Sequence, residues 1–357
     1  MGYYLKIYDV SPLIYAGQLG LSKGGYTALA NTASNGIPVG GLRYALRRCI
    51  TDMFRGNDVL FVFDSKTDKN QYFDGYKSNR TRNPEIYVQQ MIFEDIIRGC
   101  NLPYLKKDGY EADDLVAYAM SKIKFQYNHI MIVTSDMDLA GNLCVPGAEI
   151  EGSSSNVPSI TKDNFETTVK SNQLIEYNLI LPYFMFFGKP SNNVKAFRDK
   201  ATNVKLLQDF KEFCISKGIA EGNRSLLNTF AQWLQFCNQN QILSSDDIVE
   251  LLNRTKFIYP KPLADAIPFD TEQCRDKVNK ERLAFFLKTL NLDSMINDFD
   301  LQDFVPASKT REMFAYLDTY KDIYTQGVLA VDAGSTPDMS HFSSGDTTAV
   351  FVNEEDF

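Results

Sequence analysis

Three short apolar runs, each followed closely by aspartate, constrain this chain more than any other feature. They are Tyr3-Tyr4-Leu5-Lys6-Ile7-Tyr8 ahead of Asp9, Val59-Leu60-Phe61-Val62-Phe63 ahead of Asp64, and His129-Ile130-Met131-Ile132-Val133-Thr134 ahead of Asp136 and Asp138. Runs this short and this apolar fit strands buried on both faces, as in the middle of a parallel sheet. Open sheets of that kind place their ligand sites at the carboxyl ends of the strands. The predicted fold is therefore α/β: a mostly parallel twisted sheet flanked by helices, with an acidic cluster at its carboxyl edge and a helical domain following.

The stretch from Gly109 to Asn142 joins helix to strand to acidic loop. Tyr110-Glu111-Ala112-Asp113-Asp114 opens the helix, and Leu115, Ala119 and Ile123 recur at helical spacing. Glu111, Asp113, Asp114, Asp136 and Asp138 are five carboxylates within 28 residues. Two unit charges about 4 Å apart repel by about 4 kcal/mol at an effective dielectric near 20. A fold that gathers them needs protonation, lysines and arginines, or a hard cation, and an all-oxygen donor set suits magnesium or manganese. The alternative is a solvated helix start and an acidic turn that never meet.

A basic and aromatic segment, Lys66 to Pro84, carries Lys66, Lys69, Lys77, Arg80 and Arg82 among Tyr72, Phe73 and Tyr76, and Arg43 stands on one side of a helix predicted from Pro38 to Phe54. Charge for phosphate and ring faces for stacking are what single-stranded nucleic acid requires, although a solvated loop has the same composition. Helices are expected at Glu85 to Cys100, Thr161 to Val169, Ile175 to Phe187, Val204 to Lys217, Ser225 to Asn238, Ser245 to Arg254, Asn279 to Leu290 and Ser308 to Tyr324. The Gly- and Ser-rich stretch from Gly147 to Ser159 reads as a loop, which sets expected domains of 1–150, with a basic arch at about 66–100, and 160–325, then a flexible acidic tail at 327–357.

The formal charge of −8 hides an asymmetry. From Asp293 onward there are 13 acids and 3 bases, leaving the rest of the chain at +2, so the acidic balance does not exclude a polyanionic substrate. Two histidines leave little for histidine or zinc chemistry, and six scattered cysteines fit reduced thiols. With no long apolar run and no signal-peptide pattern, a cytoplasmic location is expected.

The order of these motifs resembles the structure-specific 5′-nucleases, the 5′-3′ exonuclease and flap endonuclease family, in its compact bacterial and phage form. The carriers are Asp9, Phe63-Asp64, Tyr76-Lys77-Ser78-Asn79-Arg80, Tyr110-Glu111-Ala112-Asp113-Asp114 and Thr134-Ser135-Asp136-Met137-Asp138-Leu139. The resemblance implies a PIN-like core, with Asp9, Asp64, Glu111, Asp113, Asp114, Asp136 and Asp138 as metal ligands. It also implies Lys77 and Arg80 at the phosphate, and Mg2+ or Mn2+ as cofactor. DNA with a 5′ flap, gap or free 5′ end is the implied substrate, with the host cytoplasm as location if the gene is phage-borne. The acidic tail itself reads first as a solubilising segment, with docking of a single-strand-binding or other replication protein through its aromatic tip as the alternative.

One block departs from the family. Where the family has Gly-Asp-x-x-Asp-Asn, this chain reads Gly188-Lys189-Pro190-Ser191-Asn192-Asn193, so Lys189 and Asn192 replace two aspartates of the second metal site. The glycine-rich hairpin that follows in the family is also absent. One metal site is thus expected, with the second degenerate, and the alternative is a nuclease scaffold that binds DNA structure without cutting. An Asp-x-Asp phosphatase reading of Asp136 and Asp138 leaves the other motifs unexplained.

Overall fold

The computed structural model describes residues 4–23, 40–80, 83–123, 126–153, 159–168, 176–219 and 226–263. The helices expected at 279–290 and 308–324, the tail, Arg82 and the side chain of Arg43 lie outside the described residues.

Five strands, β1 (Tyr4–Asp9), β2 (Asp58–Val62), β3 (Tyr104–Leu105), β4 (His129–Val133) and β5 (Ala148–Glu151), form one sheet in the order β3-β2-β1-β4-β5. Every neighbouring pair is parallel. Alternate residues go to opposite faces, as the two-residue period of a strand demands. Leu5, Ile7, Leu60, Val62, Ile130 and Ile132 join one apolar cluster, and Tyr8, Val59, Phe61 and Val133 the other. The second cluster is completed by α1 (Val10–Lys23), α2 (Gly40–Phe54) and α3 (Pro84–Gly99), through Leu13, Leu46 and Phe93 among others.

The first cluster is larger. It takes in α4 (Ala112–Ile123) and then the later helices: α5 (Phe165–Thr168), α6 (Ile180–Phe187), α7 (Lys200–Ser216), α8 (Leu226–Gln239) and, through Leu251, α9 (Ser245–Ile258). Trp233 meets the rings of Phe186, Phe210 and Phe230 at centroid distances of 5.7, 5.6 and 5.5 Å. Residues on both sides of the boundary drawn near 150 therefore share one core.

Two elements differ from expectation. Helix α1 is not among the expected helices; Pro12 stands in its first turn, where proline is tolerated because its missing N–H has no partner there anyway. Strand β5 falls inside the stretch read as a loop from its glycines. Gly147 is needed by that strand: its φ is +75°, and a Cβ would meet the Asn128 carbonyl oxygen at 2.2 Å as β5 starts beside β4. Helix ends also shift: the expected 161–169 helix shrinks to α5, Tyr177–Leu179 is a 3₁₀ turn before α6, and α9 runs on to Ile258. No described helix is long and apolar enough to cross a membrane.

Candidate metal centre

The order β3-β2-β1-β4-β5 makes the crevice between β1 and β4 a topological switch point, where neighbouring connections leave in opposite directions. Asp9 ends β1 opposite Val62, while Asp64 and Asp136 follow β2 and β4 on the same sheet edge. Helix α4 points its positive end at them: the Ala112 N–H donates to Asp64 Oδ1 at 2.9 Å, and Ser11 Oγ donates to Oδ2 at 2.7 Å.

The carboxylates of Asp113, Asp136 and Asp138 come together, with one oxygen of each within 4.8 Å of the others. Asp9 is 3 % exposed and accepts a 2.9 Å hydrogen bond from Thr134 on Oδ2, while its buried Oδ1 has no partner among the described residues. Burial first, then the charges of Asp64 and Asp136, push its carboxyl well above the usual range. Asp113 is pushed up in the same way, by burial and then by Asp136 and Asp138. Behind Asp113 and Asp138, Lys69, Tyr76 and Asn142 help line a cavity of about 20 Å³, the space of one water.

Glu111 and Asp114 are engaged elsewhere. Glu111 takes Lys77 Nζ on Oε1 at 2.6 Å, and on Oε2 Lys69 Nζ at 2.7 Å and the Tyr76 hydroxyl at 3.1 Å. Burial would raise the Glu111 carboxyl, but the two lysines outweigh it and hold it near about 2. Asp114 accepts from the Glu111 N–H at 2.9 Å and the Lys261 N–H at 2.7 Å, and lies 3.3 Å from Lys69. Of the seven carboxylates expected as ligands, Asp113, Asp136 and Asp138 thus come together with Asp9 and Asp64 beside them, while Glu111 and Asp114 are turned away onto Lys69, Lys77 and backbone N–H groups.

Lys69 and Tyr76 also end up differently from the expectation of an exposed binding surface. They are 3 % and 5 % exposed and serve Glu111, so neither offers a free charge or an open ring face. Lys66 and Arg80 are exposed and Lys77 is half-buried. The arch region holds turns and a short 3₁₀ segment, Lys69–Gln71, before α3 begins. Lys77 has φ of +55°, a left-handed backbone that costs a non-glycine residue about 1 kcal/mol, held by its N–H on the Asn192 carbonyl at 3.0 Å.

Lys189 enters the carboxylate group. Its Nζ lies 2.9 and 3.2 Å from the two oxygens of Asp136 and 2.5 Å from Asp138 Oδ2. Burial works against its charge, but Asp136 and Asp138 outweigh that and raise its pKa. The two aspartates share one ammonium and titrate as a pair. Burial is offset by Lys189 for Asp136, held near about 2, whereas burial and the Asp136 charge push Asp138 up to about 6. Asn192 accepts from Arg80 Nη2 at 2.6 Å. Sequence reasoning missed Lys261, whose Nζ sits 2.5 Å from Asp68 Oδ2, and Thr134 as the support of Asp9. Nothing local marks Lys261, which reaches the centre from 147 residues beyond Asp114.

Comparison with known proteins gives a concordant picture. The family model for the 5′-3′ exonuclease N-terminal resolvase-like domain matches residues 20–164. DNA polymerase I of Treponema pallidum is 31% identical over 94 residues, covering 26% of this chain and 9% of that protein. The 5′-3′ exonuclease of Bacillus subtilis is 29% identical over 189 residues, covering 50% of this chain and 61% of that one. The chain therefore spans less than two thirds of these relatives. A solved structure of the T5 5′-exonuclease with divalent zinc ions is 14% identical, covers 90% of this chain and 99% of that one, and gives a TM-score of 0.45. Residues 20–164, the part of the chain that carries the carboxylate centre, are thus similar to the N-terminal domain of the 5′-3′ exonucleases.

Proposed function

We propose that the chain is a divalent-metal-dependent 5′-nuclease that hydrolyses phosphodiester bonds in DNA bearing a 5′ flap, a gap or a free 5′ end. The observation that carries this reading is the uncompensated charge at the switch point. Seven carboxylates meet three ammonium groups, those of Lys69, Lys77 and Lys189, which leaves four negative charges when all are ionised. The buried, unpartnered Oδ1 of Asp9 lies in that field. An all-oxygen set of Asp9, Asp64, Asp113 and Asp136 fits Mg2+ or Mn2+. A bound ion would supply positive charge for the phosphate and lower the pKa of the water that attacks it.

The protein groups have distinct tasks. Asp9 and Asp64 would hold the ion, and Thr134 orients Asp9 by donating to its Oδ2. Lys77 is within reach of both Glu111 and the field of Asp9, so it can move from carboxylate to phosphate and stabilise charge developing there. Exposed Lys66 and Arg80 extend the grip along the backbone, and binding carried by such contacts weakens steeply with salt. A role in replication or repair, and a tail partner, are part of this proposal. A non-cutting DNA-structure-binding protein is the second reading, favoured by the neutralisation of Asp136 and Asp138 by Lys189. Incubating the full chain with 5′-flap DNA and Mg2+ decides between them: cleavage that EDTA abolishes supports the nuclease, and binding without cleavage at any Mg2+ or Mn2+ concentration contradicts it.

Metal-free stability follows from the same charges. Asp9, Asp113 and Asp138 have raised folded pKa values, so their contribution is full at low pH and lost as pH rises, for Asp138 through about 6. Glu111 and Asp136, held near about 2, lose their contribution only well below this range. In EDTA the urea midpoint is therefore expected to fall as pH rises from about 4 to about 6, the interval between the unfolded and folded values of Asp138. Mg2+ at about 100 times its Kd restores about 2.7 kcal/mol. A midpoint that rises with pH in EDTA and ignores Mg2+ would contradict this.

A further inference from the structure

We propose that the Lys189 ammonium is a built-in substitute for a second divalent ion, so that the centre takes one ion beside Asp9 and Asp64 and none between Asp136 and Asp138. This rests on the metal-dependent reading above and specifies its stoichiometry. The ammonium lies 2.9 Å from Asp136 and 2.5 Å from Asp138, and 5.5 Å from the ring centroid of Phe184, which adds a cation–π contact. It thus occupies the space between the two carboxylates that a second ion would bridge. A divalent ion brought there would meet a fixed positive charge already bonded to its own ligands.

The loop that delivers Lys189 is built to hold it. Lys189 and Val194 exchange backbone hydrogen bonds of 2.9 and 3.0 Å across the loop. Gly188, at φ of +75°, allows this close turn, since a Cβ there would meet the Val194 carbonyl oxygen at 2.4 Å. The loop is then tied to the basic segment. Asn79 Nδ2 donates to the Pro190 carbonyl and Arg80 Nε to that of Ser191, both at 3.0 Å, and Asn193 Nδ2 donates to the Gly75 carbonyl at 3.0 Å. Asn192, at the other altered position, accepts from Arg80. Both replacements therefore make specific contacts: one supplies the missing cation and the other anchors an arginine. Asp9 stays outside this arrangement, its Oδ1 unpartnered, which leaves the β1 side of the crevice for the single ion.

The test is a Mn2+ titration of the full chain, free ion being followed by electron paramagnetic resonance and total binding by calorimetry, with no substrate present. One Mn2+ is expected per wild-type chain and two in Lys189→Asp. If Lys189→Asp fails to fold, Lys189→Ala replaces it, and a second ion is expected there with affinity at least tenfold below that of the first. Two ions in the wild type overturn the proposal while leaving the metal-dependent reading intact. A single ion in the variants overturns it as well. No ion in any form overturns both.

Discussion

Replacing Asp9 by asparagine is expected to lower Mg2+-dependent cleavage of a 5′-flap DNA by about 10³-fold, a loss of about 4 kcal/mol in transition-state stabilisation. Removing a ligand's charge weakens both the hold on the ion and the field at the phosphate. The same change is expected to raise the urea midpoint of the metal-free chain at pH 7, since burial and the charges of Asp64 and Asp136 disfavour the ionised carboxylate. Asp9 is buried beside Asp64 and Asp136, and folding at neutral pH forces its charge into that field. An amide of the same shape can still accept from Thr134 on its oxygen and can donate towards the carboxylates from its nitrogen. Lower activity with higher stability is the signature of a functional rather than structural carboxylate. Loss of both together would make Asp9 a structural residue.

Lys69→Ala is expected to destabilise the chain by about 3–5 kcal/mol, the cost of leaving buried carboxylates without their cation. Lys69 is 3 % exposed and bonds Glu111 and Asp114, which are 4 % and 1 % exposed. The deficit should shrink as pH falls towards about 4, because Glu111, held low in the wild type by Lys69 and then Lys77, regains a pKa closer to its ordinary value. Lys66→Ala is the control. That side chain is exposed, so stability should change by less than about 0.5 kcal/mol while DNA affinity falls and the salt slope becomes shallower by about 1. Equal, small stability effects for the two lysines would show that Lys69 faces solvent. Urea unfolding and DNA titration at two salt concentrations measure both.

These lysines illustrate where the sequence is legible and where it is not. Strands β1, β2 and β4 could be read because burial on both faces leaves an uninterrupted apolar run, and Asp9, Asp64 and Asp136 could be placed because parallel strands end on one edge. Strand β5 could not, since Ala148-Glu149-Ile150-Glu151 buries only alternate residues and follows a glycine that looks like loop punctuation. The roles of Glu111 and Lys69 were also hidden, because a lysine's burial depends on a carboxylate 42 residues away rather than on its neighbours in sequence. Lys189 was visible as a departure from the family pattern. Its consequence appears only with the three distances from its nitrogen to Asp136 and Asp138.

The most direct measurement is a crystal of the full chain grown with Mn2+ and examined for anomalous scattering at the manganese edge. A single peak bounded by Asp9, Asp64 and Asp136, with the Lys189 ammonium still between Asp136 and Asp138, is the predicted result. No peak at the carboxyl edge of β1 and β4 at millimolar Mn2+, or an ion held by residues elsewhere in the chain, would contradict the account.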